Sequence, residues 1–134
     1  MTSIVVGYVP KAEGQAALRR ASMEAQLRGA KLVVVNSHRG GRDFDREAQT
    51  RGEQELTEIR RQLTEDGVEH EIRQLVHGMD PADDLIQVAK DVDADFIVIG
   101  LRRRTPVGKL ILGSNAQRIL LDAPCPVLAV KSED

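Results

Sequence analysis

The 134 residues include one cysteine, one tyrosine, two phenylalanines and no tryptophan. Each scarcity removes a class of protein. The lone thiol, Cys125, has no partner for an internal disulfide, which fits a reducing compartment. Single-stranded nucleic acid is held on several stacked rings, and an aromatic content of 2% does not supply them. Excess charge of one sign is missing too. A net charge of -2, with 30% of residues charged, gives no global pull toward nucleic acid. No apolar run approaches the roughly 20 residues that span a bilayer, and Ile4-Val5-Val6 is short and lacks a basic leader. His38, His70 and His77 are scattered, without the spacing of a metal site. These absences lead us to expect a cytoplasmic protein with no bound metal, no nucleic-acid partner and no membrane partner. The length suits a single domain, residues 1–134. Such a chain buries roughly two-thirds of its unfolded surface.

What is present is an alternation. Four apolar runs, Ile4-Val5-Val6, Leu32-Val33-Val34-Val35, Phe96-Ile97-Val98-Ile99 and Val127-Leu128-Ala129-Val130, are continuous and rich in β-branched residues. Strands of that kind are covered on both faces, as in parallel sheets. A fifth strand, residues 68–76, alternates and belongs at an edge. Between the strands lie helical stripes: Ala17, Ala21 and Ala25 with Leu18, then Leu56, Ile59 and Leu63. Gly29 and Gly67 are their left-handed stops. A third helix opens with Asp80 as N-cap and Pro81 in its first turn. The fourth opens at Ser114, with Gln117 at capping-box spacing. Strand and helix in strict turn predict an α/β fold, an open parallel sheet with helices on both faces. One long irregular stretch runs from Ser37 to about Phe44, around Arg39-Gly40-Gly41-Arg42.

Residues 100–117 read GLRRRTPVGKLILGSNAQ. This is a glycine-punctuated loop ending in a helix. The free N–H groups after Ser114, at the positive end of that helix, form an anion seat, and Gly113 permits close backbone approach. Arg102, Arg103 and Arg104 stand where small residues are expected. Two readings are open: a solvated loop, or guanidinium groups that reach a phosphate with charge-assisted bonds. Ser114 likewise suits a plain cap or a ligand contact.

The chain resembles the universal stress proteins over essentially its whole length. The family pattern is a glycine, two residues, a second glycine, nine residues, then glycine with serine or threonine. Gly100, Leu101-Arg102, Arg103, nine residues and Gly113-Ser114 keep that spacing. Ala123-Pro124-Cys125-Pro126-Val127 and Gly78-x-x-Pro81-Ala82 are also typical. The resemblance implies a five-stranded sheet in the order 3-2-1-4-5, as in the adenine nucleotide alpha hydrolase-like folds, a cytoplasmic homodimer and a role in surviving stress. In one branch of the family it implies ATP, AMP or another adenine nucleotide at the carboxyl ends of strands 1 and 4. Strand order reverses there, and open α/β sheets bind ligands at such switch points.

Two positions depart from the pattern. Nucleotide-binding members carry an aspartate after the first strand, whose carboxylate accepts hydrogen bonds from the nucleoside. Here that position is Val9, which on its own chemistry reads as a packing residue. A buried ligand group left without a partner costs roughly 1–3 kcal/mol, or about one to two powers of ten in affinity. The second motif glycine is Arg103, strained by roughly 1–2 kcal/mol if its φ is positive. The candidate nucleotide contacts are Tyr8, Val9, Ser37, Gly100, Arg102, Arg103, Gly113, Ser114 and Asn115. The alternative is a stress-linked homodimer that binds no nucleotide and acts through protein partners.

Asp83, Asp84, Asp91, Asp93 and Asp95 surround the third helix, yet no carboxylate pair is placed for acid–base work. No nucleophile stands at a recognisable spacing from a histidine. An enzyme is not expected, with weak ATPase activity left open. Cys125, flanked by Pro124 and Pro126, is expected to be buried and inert. The final strand, Val127, Leu128, Ala129 and Val130, is expected at the sheet edge, where two copies could pair antiparallel. Its alternative is a monomer whose Lys131-Ser132-Glu133-Asp134 tail shields that edge.

Overall fold

The structure is a computed structural model that describes residues 2–38, 46–76, 80–102 and 112–132. The chain runs β1 (Ser3–Gly7), α1 (Ala12–Arg28), β2 (Lys31–His38), α2 (Arg46–Glu65), β3 (His70–Val76), α3 (Pro81–Asp91), β4 (Phe96–Leu101), α4 (Ser114–Asp122) and β5 (Val127–Lys131). All neighbouring strands pair in parallel, in the order β3-β2-β1-β4-β5. β2 continues through Ser37 and His38, opposite Leu75 and Val76. Ser37 and His38, expected at the start of the irregular stretch, are therefore strand residues, and the rest of that stretch lies outside the described residues.

Strand parity divides the core. Ile4, Val6, Leu32, Val34 and Val98 pack with Ala17, Ala21 and Ala25 of α1 and with Leu56, Ile59 and Leu63 of α2. Val5, Val33, Val35, Ile97 and Ile99 pack with Ala82, Leu85 and Val88 of α3 and Ile119 of α4. Burying each such aliphatic side chain is worth about 1.5–3 kcal/mol. This explains why the continuous β-branched runs occupy the middle of the sheet.

The small face of α1 lets its backbone lie close to the sheet. A Cβ added to Gly100 would sit 2.0 Å from the Glu13 carbonyl oxygen, and one added to Gly14 would sit 1.8 Å from that of Val9. Gly100 is thus a strand residue whose missing side chain admits the first turn of α1. Gly29 ends α1 at φ 62, donating to Ala25, and Gly67 follows α2 at φ 72. Asp80 and Pro81 hold the expected N-cap and first-turn positions of α3. At α4 the cap is Gly113, with extended backbone (φ -71, ψ 166), and Ser114 is the first helical residue. The expected Ser114 cap is displaced by one residue: the Gly113 carbonyl accepts the first helical bond from Gln117, and no side-chain oxygen caps the first-turn N–H groups.

Candidate functional site

β1 and β4 lie side by side, with Val6 opposite Val98. Continuing that register sets Tyr8 beside Gly100. From these two ends the chain leaves in opposite directions, β1 into α1 toward β2 and β4 toward α4 and β5. The divergence opens a crevice at the switch point of the sheet.

The crevice has two lobes. The inner lobe, about 220 Å³, has mostly apolar walls, including Val9, Val35, Pro81, Ala82, Leu85, Ile99 and Ile119, with Ser37 among them. The outer lobe, about 240 Å³, is lined by Arg102, Gly113, Ser114 and Asn115. Val9, Glu13, Gly100, Asn115 and Ala116 border both, so the lobes are continuous. Separately each is below the roughly 300 Å³ floor of small-molecule sites; joined, they suit an extended ligand with one apolar and one polar end.

The first turns of α3 and α4 both border the crevice, but their electrostatics differ. α3 carries Asp83 and Asp84 in its first turn, whereas α4 carries no acid there. The partial positive charge of a helix N-terminus is therefore offset at α3 and available at α4. Arg118 Nη2 pairs with Asp83 Oδ1 at 2.7 Å, tying α4 to α3. Asp84 is buried, and Ser37 Oγ donates a hydrogen bond to its carboxylate.

The expected contacts fall as follows. Ser37 lines the inner lobe, and Arg102, Gly113, Ser114 and Asn115 line the outer one, with Gly100 between them. Val9 is 42% exposed at the junction and faces the crevice. It is not the packing residue its chemistry implied. Only the backbone edge of Tyr8 serves the crevice. Its ring is buried with the α1 and α2 core, where its hydroxyl accepts from Gln15 Nε2 at 3.0 Å. Burial pushes its phenol pKa up, and the nearby Glu55 charge adds to that. Arg103 lies outside the described residues, as do Arg104, Arg39, Arg42, Gly78 and His77.

Pro81, Ala82, Glu13 and Asp84 were not legible as site residues. The spacing Gly78-x-x-Pro81-Ala82 held the only hint of the first two. An acid in a helical first turn reads as a dipole partner, so neither Glu13 nor Asp84 stands out in the sequence. Cys125 is half-buried and not fully enclosed. Its thiol pKa is nonetheless raised, by burial and then by the charge of Asp95, which disfavours the reactive thiolate. A separate groove of about 610 Å³ lies between α1 and α2, floored by Leu18, Ile59 and Leu63. Among the described residues no cluster of His, Cys, Asp and Glu could hold a metal ion. No helix among them is long and apolar enough to cross a membrane.

Strand order, parallel pairing and a crevice at the switch point define an open α/β protein of the adenine nucleotide alpha hydrolase-like type. The chain belongs to the universal stress protein family, whose pattern it matches over residues 1–131. It is 44% identical over 128 residues to a universal stress protein of Mycolicibacterium smegmatis, covering 96% of each chain. The structure of a universal stress protein from Archaeoglobus fulgidus superposes with a TM-score of 0.82 at 40% identity, covering 98% of this chain and 99% of that one. A universal stress protein from the same organism in complex with dAMP gives 0.76 at 34% identity, covering 98% of both chains.

Proposed function

We propose that this chain is a stress-response module that binds an adenine nucleotide, ATP or AMP, in the crevice between β1 and β4. The observation that carries the reading is the continuity of an apolar lobe with a polar one at the switch point. A purine fits the first. A phosphate fits the second, where the acid-free N-terminus of α4 supplies N–H donors and Arg102 supplies a cation. The dAMP complex of a relative at 34% identity supports the same ligand class. We read the role as binding, with weak ATPase activity as the alternative: among the described residues that line the crevice, Glu13 is the one acid and no histidine accompanies it. Ligand-dependent ordering around the outer lobe would alter a surface available to partners. The protein acts as a homodimer through β5, in the cytoplasm.

Isothermal titration calorimetry with ATP, ADP, AMP and cyclic AMP tests this, alongside mass spectrometry of any small molecule that copurifies. Dissociation constants in the micromolar range are expected; no heat at millimolar ligand refutes it. The second reading, a homodimer that binds no nucleotide and works through protein partners, draws on Val9. An apolar side chain faces the crevice at the position where the family resemblance implies an aspartate. Copurifying nucleotide would remove that reading.

A further inference from the structure

Ser37 stands on the same face of β2 as Val33 and Val35 and lines the inner lobe. Its hydroxyl donates to the Oδ2 atom of Asp84, a buried residue in the first turn of α3. A hydroxyl has one proton and two lone-pair sites, while a carboxylate only accepts. With its proton directed at Asp84, Ser37 offers the lobe lone pairs alone. Among the described residues, the other polar side chains that open on the lobe, Glu13 and Asn115, sit at its junction with the outer lobe. The lobe is otherwise walled by residues that include Val35, Pro81, Ala82 and Leu85. None of those side chains carries a donor.

We propose that the Ser37–Asp84 pair makes the inner lobe select bases that bear an exocyclic amine over bases that bear a carbonyl at the same edge. This rests on the reading that a nucleotide places its base in that lobe. An amine donates to Ser37 Oγ. A carbonyl oxygen meets it lone pair to lone pair, so two acceptors lose their water and gain nothing. Asp84 is a positioning residue. It does not line the lobe, and it acts by fixing which way the serine proton points.

The test compares AMP with inosine monophosphate, which keeps the ribose and phosphate, replaces the amine by a carbonyl and places a proton on the adjacent ring nitrogen; the purine ribonucleotide that lacks both changes isolates the loss of the amine. Wild-type protein is expected to prefer AMP by at least about tenfold. A purine ribonucleotide unsubstituted at that carbon should fall between the two. Ser37→Ala should compress the AMP preference to within about threefold, and Ser37→Thr, which keeps the hydroxyl, should restore it. Asp84→Asn lets an amide donate to Ser37 and frees the serine proton for the ligand, so the ratio should move toward inosine. Circular dichroism checks that each variant is folded. Should Asp84→Asn unfold, the Ser37 variants decide alone. Equal affinity of the wild type for both nucleotides overturns the inference, as does an undiminished AMP preference in Ser37→Ala. A protein that binds neither nucleotide fails the proposed function and this inference with it; one that binds both alike fails this inference only.

Discussion

Val9 marks the point at which this chain departs most clearly from a nucleotide-binding site. It is 42% exposed and borders both lobes of the crevice. An aspartate there would remain solvated in the free protein, so little folding energy is at stake. It would restore an acceptor for the nucleoside, and the missing acceptor is worth about 1–3 kcal/mol. Glu13 borders the same junction, and the like charge opposes part of the gain. Val9→Asp should therefore tighten AMP binding by about tenfold and not a hundredfold, as read by calorimetry. No gain would mean that the missing acceptor is not what limits nucleotide binding. Tyr8 teaches a different lesson at this scale. It is adjacent to Val9 in sequence, yet one step along an extended backbone turns its ring to the opposite face of the sheet. Composition cannot reveal that parity; it becomes visible only when the burial of Ile4, Val5 and Val6 is known.

At the scale of the element, two glycines, one inside α1 and one capping it, make opposite demands. Gly14 lies inside the helix, where alanine is intrinsically better by about 1 kcal/mol. A Cβ there would stand 1.8 Å from the Val9 carbonyl oxygen, an overlap with backbone that only a shift of α1 relieves. Such overpacking costs about 1–3 kcal/mol. Gly29 has nothing within 4 Å of an added Cβ, but its φ is 62, which costs a residue with a Cβ roughly 1–2 kcal/mol. In urea melts Gly14→Ala should be destabilising despite its better helix propensity, and only Gly14→Ala should also weaken ligand binding, because Gly14 lines the inner lobe. Gly29→Ala should lower stability and leave the crevice untouched. A stabilised Gly14→Ala protein would disprove the close approach.

Much of this element order is readable in the sequence. Continuous β-branched runs, alanine and leucine stripes, and the stops at Gly29 and Gly67 each have a local cause. Sheet order was carried by the resemblance, since no local rule ranks the strands. Ser37 was readable as a position after the second apolar run. Its bond to Asp84 joins residues 47 apart, and only the folded sheet brings them together.

For the molecule as a whole, the open question of shape is the β5 edge. β5 pairs with β4 on one side only. The Pro126 carbonyl accepts from Ile97, and the Ser132 N–H donates to Leu101. Backbone groups alternate along a strand, so residues of that parity bond inward and Val127, Ala129 and Lys131 turn theirs outward. Ala129 is exposed, and so is Leu128 at 36%. An edge of this kind, with unpaired N–H groups beside apolar side chains, invites another strand. A second copy running antiparallel would satisfy both edges about one two-fold axis. Ala129→Pro removes an outward N–H, where an edge strand tolerates proline, and leaves the bonds to β4 in place. Sedimentation equilibrium should then show a dimer for the wild type and a monomer, or at least a tenfold weaker dimer, for the variant. Nucleotide affinity should be unchanged, because no residue of β5 lines either lobe of the crevice. A variant that remains fully dimeric would move the interface away from β5. One that loses nucleotide binding along with dimerisation would mean that the crevice is completed by the partner copy.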